Sequence, residues 1–216
     1  MVPRNNGKYI AIIGLDGSGK TEIITTLMKG SSNNNRKTAY VWFRFAHLTS
    51  LIILLLARVT NATRKVNGQL IHAFRGHKSI AFLYPRFLYV DMRITNFWKI
   101  RVPLSRGWIL YLDRCPYDAV VDTAFDLGNR DFVDSILAER YCDLLPTGNG
   151  IVIFLDVKPD TVRVRRPELM HDSTLEERYR LYKLLVKRWS IPIVSNEGSI
   201  TETICELKKL IRGIEE

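Results

Sequence analysis

Cysteine is scarce in this chain of 216 residues: Cys115, Cys142 and Cys205 are all there is. Their number is odd, their spacing is wide and no C-x-x-C occurs, which argues against both a disulfide framework and a zinc site. The four histidines (47, 72, 77 and 171) show no metal-ligand spacing either. Long apolar runs are missing too. The longest, Leu51 to Ala57, falls far short of the roughly 20 residues that cross a bilayer. The opening MVPRNNGKYI has no apolar stretch of the signal-peptide kind, so the expectation is a cytoplasmic protein with no membrane span. Acid is missing from one region in particular. Between Arg58 and Arg106 ten lysines and arginines face a single acid, Asp91, so this segment holds net +9 of the chain's +10. That balance suits an anionic small substrate, a nucleic acid, an anionic membrane or simply a solvated basic surface. No RRM or KH signature accompanies it.

What is present reads as alternating strands and helices. Tyr9 to Ile13 is a short apolar run ending at Gly14, as expected of a buried parallel strand. A helix is predicted from Lys20 to about Gly30, stopped by Gly30 and SSNNN. Further strands are predicted at Ala39–Phe43, Trp108–Leu112, Ile151–Leu155 and, weakly, Ile191–Val194, with a last helix over about Ile200–Ile214. The pattern predicts an α/β fold in one domain over 1–216: a central parallel five-stranded sheet with helices on both faces. Residues 48 to 106 are expected to form a basic helical segment. Within it Leu83, Phe87, Val90, Ile94 and Phe97 recur at helical spacing, predicting an apolar stripe toward the core. Arg86, Tyr89, Arg93 and Asn96 form a neighbouring row suited to a phosphate and a flat ring.

Gly14-Leu15-Asp16-Gly17-Ser18-Gly19-Lys20-Thr21 matches G-x-x-x-x-G-K-[ST] after a strand and before a helix. In such a loop backbone N–H groups turn inward around phosphate oxygens, and the helix N-terminus adds its dipole. Lys20 is the candidate for the β- and γ-phosphates, and the Thr21 hydroxyl for Mg²⁺. The motif therefore points to ATP and Mg²⁺, with Gly14, Gly17, Ser18 and Gly19 as further donor-site residues. The companion acid at a strand end is Asp113 or Asp156; the second is equally a candidate helix N-cap.

The form of this loop, with Asp16 inside it, resembles that of thymidylate kinases, and the resemblance runs from about residue 9 to 214. It implies a P-loop kinase fold, with Asp16 facing the acceptor's sugar. Trp42-Phe43-Arg44 looks like the family's Phe-Pro-x-Arg site, which gives Arg44 the acceptor phosphate. Leu88 to Arg93 is similar to the helix ending in Ala-Asn/Asp-Arg, giving Arg93 and Tyr89 acceptor roles, Tyr89 against the base. Asp113-Arg114-Cys115 stands where the family has Asp-Arg-Tyr/His, so the resemblance favours Asp113 as the metal-side acid and adds Arg114 to the acceptor site. Leu155 to Pro159, followed by Val162 to Arg166, looks like the family's arginine-bearing lid, here about 160–175. Because position 17 is glycine, the resemblance implies a transition-state cation from that lid: Arg163, Arg165 or Arg166. It also implies a homodimer, with the long helix before Trp108 as the contact.

Two departures stand out. The family's Ser after Asp-Arg-Tyr is Asp118 here, and Val121 to Phe125 does not reproduce the side chains that read thymine. Three functions follow as expectations. The first is a nucleoside monophosphate kinase converting dTMP and ATP to dTDP and ADP, which needs no general base. The second is a P-loop kinase for a nucleoside or other alcohol, which needs one, with Asp16 or Asp113 as candidates. The third is a P-loop ATPase or nucleic-acid-binding protein using the basic segment.

Overall fold

The structure, a computed structural model, describes residues 7–30, 37–43, 48–60, 63–66, 69–72, 74 and 76–215. Strand β1 (Lys8–Ile13) leads through the glycine loop into α1 (Lys20–Gly30), and β2 spans Thr38–Trp42. Next come α2 (Ser50–Val59), the strands β3 (Thr63–Val66) and β4 (Gln69–His72), and α3 (Lys78–Asn96), which continues as a π-helical turn over Phe97–Arg101 and a short α4 (Val102–Ser105). The second half alternates β5 (Ile109–Asp113), α5 (Pro116–Leu127), α6 (Ile136–Cys142), β6 (Gly150–Asp156), α7 (Pro159–Arg165), α8 (Leu175–Trp189), β7 (Ile193–Ser195) and α9 (Ile200–Glu215). The five main strands pair in parallel in the order β2-β5-β1-β6-β7.

Period-two alternation along these strands explains why both faces are covered. Ile10, Ile12, Tyr111 and Ile153 point to one side, where Ile23, Ile24 and Leu27 of α1 and Leu207 and Ile211 of α9 close over them. Ala11, Ile13, Leu112 and Phe154 point to the other, under α3, α5, α6 and α8. Every strand of the five-stranded sheet, and the first and last helices, lie within a residue or two of their sequence-based positions.

The basic segment departs from expectation in two ways. It is not wholly helical, since β3 and β4 form an antiparallel pair, Thr63 opposite His72 and Val66 opposite Gln69. Its long helix is also turned relative to the predicted stripe. Ile80, Tyr84, Leu88 and Met92 form the buried apolar stripe of α3, whereas Leu83, Val90, Ile94 and Phe97 are exposed and Phe87 is only half-buried. Both stripes are apolar at helical spacing, so periodicity alone could not choose between them. Asp91 fixes the orientation. Its buried carboxylate accepts hydrogen bonds from the backbone N–H groups of Leu48, Thr49 and Ser50 and from both hydroxyls of Thr49 and Ser50, at 2.6–3.2 Å. Burial alone would raise its pKa, but these donors outweigh it and hold the carboxyl below its ordinary range. The lone acid of the basic segment thus caps the N-terminus of α2 from a different helix.

Candidate active site

The glycine loop joins the C-terminal end of β1 to α1, which places phosphate-binding N–H groups at the edge of the sheet where ligands of open α/β folds bind. Gly17 and Gly19 have φ of 86° and 92°, and both lack room for a side chain. A Cβ on Gly17 would stand 3.1 Å from Cδ of Arg166, and one on Gly19 would stand 3.0 Å from Nδ2 of Asn196. Buried Lys20 donates from Nζ to the carbonyls of Gly14 (2.8 Å) and Leu15 (2.7 Å). Burial lowers its pKa, and the nearby Asp16 charge opposes that. Ser18 Oγ is buried and, among the described residues, has no hydrogen-bond partner.

Thr21 Oγ1 donates to Asp113 Oδ2 at 2.5 Å, and the Tyr40 hydroxyl donates to the same oxygen at 2.8 Å. Burial, with help from Asp113, pushes the Tyr40 phenol up to about 12, so it stays a donor at neutral pH. The contact between Thr21 and Asp113 decides which strand-end acid accompanies the loop. Asp156 instead receives Lys183 Nζ at 2.9 Å. Neither acid caps α7, whose N-cap position is Lys158.

Beyond β7, the buried Asn196 ties three elements together: Nδ2 donates to the Ser18 carbonyl (2.8 Å), Oδ1 accepts from Thr203 (2.9 Å), and its own carbonyl accepts from Arg165 (2.7 Å). Arg165 and Arg166 line, with Lys20, Thr21 and Asp113, a cleft of about 750 Å³. Arg163 is not brought there. Its guanidinium points back into the lid, donating to Asp160 (3.1 Å), to the Asp172 carbonyl (3.3 Å) and to Glu176. A helix places residues 163 and 165 on different sides, which the run of arginines in the sequence conceals.

In front of the loop stands a chain of alternating charges. Arg114 pairs with Asp16 and with Asp122 (3.5 Å), and Asp122 also receives Arg178 of α8. The Arg178 guanidinium stacks over Phe125 at 4.5 Å. Burial would raise Asp16, but the charges of Arg114, Lys20 and Arg178 together outweigh it and the net shift is downward. Arg114 takes a left-handed backbone, φ 68°, that only a few per cent of non-glycine residues adopt. Asp118 is fully buried behind the cluster. It accepts from the Cys115 N–H and the Tyr182 hydroxyl, each at 2.7 Å, and burial pushes it up to about 6. Asp118 therefore caps α5 where the resemblance expects a serine.

Of the acceptor residues expected from the resemblance, Asp16 and Arg114 are at the loop. Tyr89 and Arg93 are not: they line a separate cavity of about 710 Å³ with Arg101 and Arg140, and the Tyr89 ring stacks on Tyr141 at 6.1 Å. That cavity is bordered by Asp143 and Leu144, on the segment leading into the start of β6, the opposite edge of the sheet from the loop. Arg44 lies outside the described residues. Sequence reasoning missed Tyr40, Asp122, Arg178 and Asn196, none of which belongs to a local motif.

No model of a known protein family matches the chain, and no curated protein matches it. Among solved structures it is similar to the crystal structure of thymidylate kinase from Ehrlichia chaffeensis, with a TM-score of 0.57 and 16% identity over 95% of this chain and 99% of that one. At that identity the similarity concerns architecture, and the architecture is that of a P-loop kinase, thymidylate kinase-like along nearly its whole length.

Proposed function

We propose that this chain is an ATP-dependent phosphotransferase whose acceptor is a nucleoside monophosphate, with dTMP the first candidate. The observation that carries this reading is the contact of Thr21 with Asp113 beside Lys20 and an inward-turned glycine loop. Two hard oxygen donors side by side fit Mg²⁺, and the unpaired Ser18 hydroxyl fits a phosphate oxygen. Thr21 and Asp113 would hold the metal, which when bound neutralises charge on the phosphates.

The chain's own residues account for the rest. Lys20 exchanges its two carbonyl partners for β- and γ-phosphate oxygens and follows charge onto the transferring group. Arg165 and Arg166 supply cations from the lid, with the Arg166 side chain packed against the glycine at 17. Arg114 and Arg178 orient the acceptor. A phosphate acceptor is already anionic near neutral pH, so no side chain has to take a proton.

One observation favours the alcohol acceptor as a second reading: Arg114 and Arg178 both already face carboxylates, Asp16 and Asp122. Asp16, held ionised by Arg114, would then accept the hydroxyl proton. An acceptor screen separates the two. With ATP and Mg²⁺, ADP release should rise with dTMP or another monophosphate and not with thymidine. Turnover of nucleosides alone would establish the second reading. Release driven only by single-stranded nucleic acid would replace both with an ATPase. We also propose a cytoplasmic setting, supported by three free cysteines, two of them buried.

A further inference from the structure

Tyr40 is 41% exposed on an edge strand of the sheet, yet its hydroxyl is turned inward to a carboxylate. A surface tyrosine ordinarily does the reverse, covering its ring and leaving the polar tip in water. The arrangement has a local cause. Ala39 and Val41 pack against the larger core, so strand alternation turns Tyr40 and Trp42 toward the side of α1. Tyr40 pairs with Tyr111, two residues before Asp113, which is roughly 6–7 Å along the strand. Of the three hydroxyl side chains, tyrosine alone is long enough for that reach.

The consequence lies in how Asp113 meets a cation. Each carboxylate oxygen has two lone pairs with which to accept. On Oδ2 both are taken, one by Thr21 Oγ1 at 2.5 Å and one by the Tyr40 hydroxyl at 2.8 Å. Oδ1 accepts no hydrogen bond among the described residues, and Asp113 lines the cleft beside Thr21. Asp113 therefore offers a cation one oxygen, not two. Contact through one oxygen suits Mg²⁺, which is small, holds to octahedral geometry and keeps several waters. Ca²⁺ is larger, gathers roughly six to eight oxygens and often takes a carboxylate through both. Partners that orient a metal-binding side chain change metal affinity by about 10–100-fold when they are removed.

We propose that Tyr40 is a positioning residue for Asp113, holding it to contact through one oxygen and so selecting Mg²⁺ over Ca²⁺ at the bound nucleotide. This role rests on the metal site of the proposed function and is independent of which acceptor is used. The test is binding without turnover. The probe is an ATP analogue with an imido group between the β- and γ-phosphates, titrated calorimetrically with Mg²⁺, with Ca²⁺ and with EDTA. The full chain is compared with Tyr40→Phe, which keeps the ring and loses one oxygen, and with Asp113→Asn. Tyr40→Met repeats the comparison with the hydroxyl absent and the length roughly kept. Both Tyr40 variants should retain the parent circular dichroism. In each, the ratio of Mg²⁺-supported to Ca²⁺-supported affinity should fall about tenfold, while binding in EDTA stays within about twofold. Equal weakening under all three conditions would make the hydroxyl merely structural and overturn the proposal. An unchanged ratio in the Tyr40 variants, with a fall in Asp113→Asn, overturns it as well and leaves the metal site standing. If Asp113→Asn keeps the full Mg²⁺ effect, the metal site of the proposed function falls with it.

Discussion

The glycine loop and the charged cluster in front of it, the donor and acceptor sides of the proposed function, are built in different ways. The donor side is an uninterrupted stretch, Gly14 to Thr21, whose geometry comes from its own glycines and the helix it opens, completed by Asp113 from the neighbouring strand. The charged cluster beside it, which the proposed function makes the acceptor side, takes Asp16 from the loop, Arg114 from the end of β5, Asp122 from α5 and Arg178 from α8, held by one another's charges and by the stacking of Arg178 on Phe125. A contiguous motif carries its chemistry wherever it is placed. A dispersed one depends on every packing contact that brings its members together, and it can change specificity through any of them.

The largest effect should fall on the donor side. Lys20→Ala is expected to lower ADP release about a thousandfold while the thermal unfolding curve moves little. If most turnover survives, the contrast between the two sides fails at its stronger end. Next, replacing Arg165 and Arg166 by Ala together should reduce kcat about a hundredfold. Arg163→Ala should change kcat by less than about threefold, since that side chain is tied to Glu176 inside the lid. A reversal of these two results in steady-state kinetics would mean that the lid rearranges when nucleotide binds. On the acceptor side, Arg178→Ala should lower kcat/KM for the acceptor about tenfold and leave the KM for ATP within about twofold. Equal losses for both substrates would show one shared site, not two sides.

The smallest effect lies outside the cleft. Asp91→Ala should destabilise the fold by about 1–2 kcal/mol in urea at pH 7, through loss of the α2 cap, with turnover per folded molecule retained. The sign with pH follows from the downward shift of this carboxyl. Its contribution is present above the ordinary value of 3.8 and fades as pH falls through the lower native value. The gap between parent and variant should therefore narrow on acidification below about pH 4.

The same contrast explains what could be read from the sequence. The strands were legible because fully buried parallel strands are apolar runs, and α1 because the loop opens it and Gly30 ends it. The β3–β4 pair had a signal too: Asn67-Gly68 stands between TRKV and QLIH, and Asn-Gly favours a tight hairpin turn. The orientation of α3 was not legible, because Asp91, the residue that fixes it, has its partners at Leu48, Thr49 and Ser50, some forty positions earlier. Tyr89 and Arg93 turned away from the loop for the same reason. Arg178 and Asn196 carry no local pattern at all; tertiary packing alone brings them to the site.

Arg114 pays, in backbone conformation, for where its guanidinium points. A left-handed arginine costs roughly 1–2 kcal/mol relative to an ordinary conformation, a penalty that glycine would not incur. Drift toward a sturdier protein would favour glycine at position 114, and it would remove the one cation that, among the described residues, touches both Asp16 and Asp122. Descendants of this chain that have lost their substrate should therefore betray it here first, by growing more heat-resistant as the arginine disappears.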